Sequence, residues 1–480
     1  MMDTMNIRRD LPWLLAVLAP TCTSLLSCSS TQEAPPAQAE AVHSHPTETK
    51  VERTLSEADA RKNFDVAWRS MSEAGALSDM TDEDWEELRV EYEPQATAAR
   101  NNKELRAVLD AMIQRLGKSH FSIIAQDAVE MPSPSSGGAG TLGLQARFVE
   151  NQAIITQVKP DSAADEAGVR PGWLVQSVDG FDLESFSKRF GDIESASMSG
   201  YHRNSALASM LTGTPGEEST FDFIDLEGHD QQLSLKNRID TTQVIKFGNL
   251  PPMSVSTTSS ILDQKKLAEY GVKVDPDYTV GLLQFSVWMI PIVQPINAAI
   301  DAFRSAEVDA VIIDLRGNPG GVGGLAMGIG GHFTPEPTNL GTMFNEFGEL
   351  NFNTNPQRIS PSGELVEPLD IPLVILVDDM SASTSEIFAG GLQCAKRASI
   401  VGRRTPGMAL PAVAESLPNG DILYHAIAEF ELPDGRSVEG VGISPDHEVS
   451  LEQESFAGSR DPDIQTAVEW TTRSQAATDE

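Results

Sequence analysis

The chain has 480 residues, 40% of them hydrophobic and 22% charged, with a formal net charge of −35. That length suffices for two or three domains, each with its own core. The acidic field repels nucleic acid and anionic membrane surfaces, so a nucleic-acid partner is set aside.

In chain order, Arg8 and Arg9 precede the apolar stretch LPWLLAVLA, and the segment closes on Leu25-Leu26-Ser27-Cys28. A charged start and an apolar run make a secretory leader. Pro20 and the Ser/Thr residues around it interrupt the run too soon for a membrane span. The closing Leu-x-small-Cys resembles a bacterial lipobox, so residues 1–28 are expected to be a signal or lipoprotein leader lipidated at Cys28. An ordinary signal peptide with an incidental cysteine is the alternative. Either way the protein is expected in the periplasm or cell envelope, touching a membrane only through that anchor. With Cys22 and Cys28 in the leader, Cys394 alone lies in the folded region, which leaves no disulfide framework. Residues 29–50 form a polar, Ala/Pro-rich tether. Its His43 and His45 are too few to hold a metal, and no metal or cofactor is expected.

Residues 51–130 read as helical. Phe64, Val66 and Trp68 fall in one helix, and Trp85 and Leu88 in another that opens on Thr81-Asp82-Glu83-Asp84. Over 102–116, Leu105, Val108, Leu109, Met112, Ile113 and Leu116 recur at helical spacing, and Gly117 stops the helix. Ser119-His120 follows on a short link to the strand-like Phe121–Ile124, where a histidine can project into a cleft. An ordinary surface or helix-end histidine is the alternative.

Residues 138–240 run from a Gly-rich stretch through Leu142-Gly143-Leu144, the strand AIITQV, a short helix, Arg170-Pro171-Gly172-Trp173 and further strands. This order resembles a PDZ domain. The resemblance implies that Leu142, Gly143 and Leu144 present backbone N–H groups to a peptide carboxylate while the peptide adds a strand to the sheet edge. A PDZ fold used only for packing or gating is the alternative.

A linker, KFGNLPPMSVSTTSS, is expected before a strand–helix alternation over 275–450, which argues for an α/β core. Gly317-Asn318-Pro319-Gly320-Gly321 makes a strand-end loop of amides suited to an anion. Gly321-x-Gly323-x-x-Ala326 fits a dinucleotide fingerprint only loosely, and no phosphate-loop lysine accompanies it. The β-branched run Ile371–Val377 reads as a buried strand leading to Ser381-Ala382-Ser383-Thr384-Ser385-Glu386 at a helix start. Ser383-x-x-Glu386 is a capping box, and the free N–H groups of a helix start also suit a nucleophile that generates negative charge. Leu417-Pro418-Asn419-Gly420-Asp421 is a hairpin turn expected to build the wall carrying Glu439. Residues 451–480 hold a short amphipathic helix and a tail.

The stretches DLRGNPGG, SASTSEIFAGGLQ and VEGVGISPD, with the N-terminal segment and the PDZ-like insertion in the same order, resemble peptidase family S41. The resemblance spans about residues 51–450. It implies a multidomain α/β protein: an N-terminal helical region, a PDZ-like β domain and a crotonase/ClpP-like α/β peptidase core. It also implies a serine endopeptidase acting on protein or peptide substrates with Ser383 as nucleophile. In the tail-specific branch a lysine is the base, but Met408 stands at that position and Ala412 where its glutamine partner belongs. A thioether accepts no proton. In the tricorn-like branch the base is a histidine supported by a serine and a late glutamate, which His120, Ser119 and Glu439 match. The oxyanion is then expected between Thr384 N–H and an N–H of Gly320 or Gly321. Met408 and Ala412 also keep open an inactive peptide-binding scaffold, and the fold class an apolar-ligand carrier.

Overall fold

The computed structural model describes residues 54–77, 79–129, 140–190, 196–357, 359–360, 362–456 and 460–478. The expected leader with Cys28, and the tether with His43 and His45, lie outside the described residues.

Three helices, Glu57–Ser72, Asp82–Thr97 and Asn102–Gln114, open the fold. Ser56, Thr81 and Asn101 cap them, each side chain accepting the N–H three residues on. Phe64, Trp85, Leu88, Leu105, Leu109 and Met112 form their common core, which also takes in Leu417 and Leu423 from far along the chain. After Gly117, in the left-handed region at φ 61°, the chain turns through Ser119 and His120 into the strand Ser122–Ile124. That strand pairs antiparallel with Ile422–Ala426, itself hairpinned to Ala412–Ser416.

The central sheet has six strands in the order Thr257–Leu262, Val280–Phe285, Ala310–Asp314, Leu373–Val377, Ser399–Gly402 and His447–Glu448. All neighbouring pairs are parallel except the first, which is antiparallel. The two middle strands, AVIID and LVILV, are buried at every residue, as strands covered on both faces must be. The helices Val293–Ser305, Gly324–Gly330 and Thr384–Cys394 contribute to the core on one face. Pro462–Thr478 and Gln264–Glu269 cover the other through Ile464, Ala467, Val468 and Leu267. Burying each of Ile464, Val468 and Leu267 contributes roughly 1.5–3 kcal/mol.

Two expectations need correction. The stretch read as a linker includes strand Met253–Val255 and the start of Thr257–Leu262, which extends the central sheet by an antiparallel edge. Its Ser/Thr-rich composition hides a strand because an edge position needs little apolar surface. The C-terminal helix is also longer than expected and packs on the sheet. The core therefore draws on residues outside 275–450.

Residues 140–239 form a separate antiparallel sheet in the order Leu144–Val149, Gln152–Val158, Leu174–Val178, Glu218–Ile224 and Asp230–Lys236, with Phe181–Asp182 paired to the third of these. The segment after it is helical, Leu183–Phe190 and Ala196–Met210. This unit docks on the turn after Leu373–Val377 and on the segment after residue 450, where Gln453 Nε2 donates to Gly172 O at 2.9 Å. Arg147 pairs with Asp378 and Asn204 Nδ2 donates to Asp379 Oδ2 at 2.7 Å. Among the described residues no helix is long and apolar enough to cross a membrane.

Candidate active site

Ser383 stands between the strand Leu373–Val377 and the helix Thr384–Cys394. Its backbone is in the left-handed region, φ 55° and ψ −118°, a conformation that costs roughly 1–3 kcal/mol for a non-glycine residue. The surroundings hold it there. Ser383 N–H donates to Met408 O at 2.8 Å and to Glu386 Oε2 at 3.0 Å, and Glu386 N–H is drawn to the Ser383 carbonyl at 2.8 Å. Capping is thus carried by the backbone and by Glu386.

The glycine loop lies against this serine. A Cβ on Gly320 would sit 2.6 Å from Ser383 Cβ and 3.0 Å from the Thr384 nitrogen, so only glycine fits. Thr384 Oγ1 donates to Gly321 O at 2.9 Å and fixes the loop to the helix start. Gly320 N–H is taken by Asn318 Oδ1 at 3.0 Å, whereas Gly321 and Thr384 N–H have no protein acceptor among the described residues. Asp378 ties the loop and the turn together by accepting from Gly317 N–H, Met380 N–H and Ser381 Oγ. Its carboxyl is fully buried yet lies below the usual carboxylate range, because Arg147 and its hydrogen bonds offset the desolvation that would raise it.

A second cluster is built from three distant parts of the chain. Glu439 Oε1 accepts Ser119 N–H at 2.7 Å, and Glu439 Oε2 accepts Ser119 Oγ–H at 2.8 Å. Ser119 Oγ is 2.7 Å from His120 Nδ1. A serine hydroxyl has one hydrogen, and here it points to Glu439. Oγ must therefore accept from Nδ1–H, which leaves the lone pair on Nε2. His120 has φ 60°, and its ring packs on Tyr424 at 5.7 Å between centroids. Burial lowers its pKa to about 4, so the ring is neutral at pH 7. Burial also raises Glu439, opposed by its bonds to Ser119 and Ala409.

The segment 405–409 joins the two clusters. Met408 O receives Ser383 N–H, and Ala409 N–H approaches Glu439 Oε2 at 3.4 Å. Met408 thus contributes its backbone at the position where the lysine-dependent branch would place its base. Glu439 itself sits in a turn bonded to this segment, Gly440 N–H to Gly407 O at 2.8 Å. The 412–426 hairpin instead pairs with the strand after His120, which corrects the expectation that the hairpin wall carries Glu439.

Leu142, Gly143 and Leu144 belong to the inserted unit and not to this cluster. Gly143 N–H is already bonded to Thr141 Oγ1 at 3.0 Å. Asp225, Glu227 and His229 bring ligand atoms together on a hairpin turn, but Asp225 is occupied by the turn's own N–H groups. Asp378, Asn318 and Tyr424 carried no sequence signal of their own, although Asp378 and Asn318 lie within the motifs that did.

Residues 279–449 match peptidase family S41, and residues 56–114 match the tricorn protease C1 domain. The chain carries a peptidase family S41 domain over residues 279–449. With that domain it is a serine-type peptidase. It is 24% identical over 403 residues to a carboxyl-terminal-processing protease of Synechocystis, covering 83% of both chains. The corresponding protease of Picosynechococcus is 25% identical over 439 residues, 89% of this chain and 92% of that one. In fold, this S41 peptidase is similar to the photosystem II D1 C-terminal processing protease, with a TM-score of 0.54, 18% identity and coverage of 82% of this chain and 94% of that one. Mature CPAF in complex with lactacystin gives a TM-score of 0.54 at 15% identity, over 88% and 98% of the two chains.

Proposed function

We propose that this S41 peptidase hydrolyses peptide bonds of extracytoplasmic proteins or peptides through an acyl-enzyme on Ser383, with His120 as the base. One observation carries the reading: a run of hydrogen bonds leads from Ser383 through Met408, Ala409 and Glu439 to Ser119 and His120, and no lysine stands at the alternative position. Ser383 Oγ attacks the carbonyl carbon while His120 Nε2 takes its proton. The negative oxygen is received by Gly321 N–H and Thr384 N–H, each donor worth roughly 3–4 kcal/mol in the transition state. Gly321 is preferred over Gly320 because Asn318 already occupies the Gly320 N–H. The imidazolium gives its proton to the leaving amine as the carbon–nitrogen bond breaks, and water then repeats the sequence on the ester. Ser119 and Glu439 keep the proton on Nδ1 and disperse the positive charge on the ring.

In the same reading the inserted sheet is a PDZ-like domain that receives peptide ends at Leu142–Leu144, and the central sheet is a crotonase/ClpP-like core. Export and lipidation at Cys28 rest on the leader pattern alone. A fluorophosphonate probe tests the chemistry. Labelling of the wild type that is lost in both Ser383→Ala and His120→Ala supports the mechanism. Absence of labelling between pH 5 and 9 favours a peptide-binding scaffold, and unchanged activity of His120→Ala removes the histidine.

A further inference from the structure

Glu386 is fully buried, and all four of its hydrogen-bond positions are filled by donors. Oε1 accepts Thr405 Oγ1–H at 2.6 Å and Gly407 N–H at 2.8 Å; Oε2 accepts Met408 N–H at 2.9 Å and Ser383 N–H at 3.0 Å. The Thr405 hydroxyl cannot turn away, because its oxygen receives Ile443 N–H at 2.7 Å. Helix capping alone would need one of these bonds. The other three grip 405–408, the segment whose continuation, Ala409, reaches Glu439 and so the Ser119–His120 pair.

We propose that Glu386 is a positioning residue for the peptidase reaction: its ionised carboxylate holds Ser383 in register with segment 405–409, and its protonation switches the site off. The inference rests on the reading of Ser383 as nucleophile and His120 as base. Four inward-pointing donors leave no room for a proton on either oxygen, so a proton must displace one of them. The donor displaced leaves either Ser383 or the 405–408 segment without its restraint, and Ser383 keeps its left-handed backbone only while over-determined. Among the described residues no cation pairs with the carboxylate. The facing groups are Tyr201 on the helix Ala196–Met210, whose hydroxyl is held above its usual range by burial and then by the Glu386 charge, and Glu439 beyond Ala409. Burial therefore drives Glu386 up to about 7 against the pull of its four bonds. His120, lowered to about 4, does not titrate in that range.

The test measures fluorophosphonate labelling rate and kcat/KM for an unstructured peptide from pH 5 to 9, with unfolding midpoints recorded alongside. The wild type is expected to gain activity on a limb near pH 7. Glu386→Gln, which places an N–H against N–H donors, is expected to lose about 100-fold or more in kcat, as a lost oxyanion donor does, with KM little changed. Thr405→Val removes one bond that favours the charged form and is expected to move the limb up by about one pH unit, while Thr405→Ser restores it. The inference is overturned if Glu386→Gln stays within about threefold of wild type. It is equally overturned if Thr405→Val lowers activity alike at every pH, since that is what loss of packing alone would do. Should Glu386→Gln fail to fold, the Thr405 pair still decides. Labelling that survives Ser383→Ala, or activity that survives His120→Ala, would instead remove the underlying mechanism.

Discussion

The two sides of the proposed active site are built in opposite ways. The nucleophile side is nearly continuous in sequence: a strand buried at all five residues, a turn, and a helix with nine buried residues, all between Leu373 and Cys394. The base side gathers Ser119-His120, Ala409 and Glu439 from segments about 320 residues apart, held by a few hydrogen bonds and a smaller core. Strain sits on both sides, at Ser383 and His120, but only Ser383 is backed by the central sheet. The proposed nucleophile is therefore a property of the core, and the proposed base is a property of docking.

The largest effects should come from the chemistry itself. Ser383→Ala is expected to lower kcat by about 10⁴–10⁶, and His120→Ala by about 10²–10⁴. For Ser383→Ala the unfolding midpoint should move little. Single-turnover acylation separates them, because His120→Ala should still form acyl-enzyme slowly and Ser383→Ala should form none. A large stability loss in Ser383→Ala would contradict a helix start held by the backbone and by Glu386.

Smaller losses, about 10–100-fold, are expected for Ser119→Ala and Glu439→Gln, which act through the imidazole. The comparison is sharpened by adding each to His120→Ala. If the three side chains form one unit, the second change should cost nearly nothing, whereas additive losses would mean that Ser119 and Glu439 act independently of the ring.

His120 also makes a pH prediction. Its folded pKa, about 4, lies below the ordinary 6.5, because burial disfavours the charged ring. The stabilising contribution of the neutral ring is complete above pH 6.5 and is lost as pH falls through 4, by about 3 kcal/mol at most. Urea midpoints of wild type and His120→Gln should therefore converge on acidification. Parallel curves would mean that the ring is not desolvated in the folded state.

This contrast also explains what the sequence disclosed. The run Ile371–Val377, the glycine loop and the Ser383 turn were legible because strand, turn and helix start each leave a local pattern. Met408 at the lysine position is equally plain, and with a thioether there the expected base is His120 of the Ser119-His120 pair. Nothing local marked the wiring. That Ala409 reaches Glu439, that Asn318 occupies Gly320 N–H, and that Arg147 reaches Asp378 from another sheet depend on tertiary packing, which periodicity does not encode. The Thr257–Leu262 strand was missed for a related reason. At an edge, pairing with Val280–Phe285 supplies what composition does not.

The mildest test asks whether the base side can open alone. Arg106, on the helix that leads to His120, grips Asp421 with two 2.9 Å bonds, and the Asp421 side chain is only 1% exposed. Asp421 Oδ1 also accepts Gln126 N–H, so this carboxylate ties the helix, the strand after His120 and the hairpin together. Arg106→Met keeps the apolar stem but leaves Asp421 without its cation, a change that costs about 3 kcal/mol when the charge stays buried. Hydrogen exchange should then accelerate by about 100-fold across 102–124 and the 412–426 hairpin, but not across 371–394. At 25 °C kcat should fall less than about threefold, since the docked form still dominates. Equal acceleration on both sides would show that they open as one unit, and that His120 is held by the central core as firmly as Ser383.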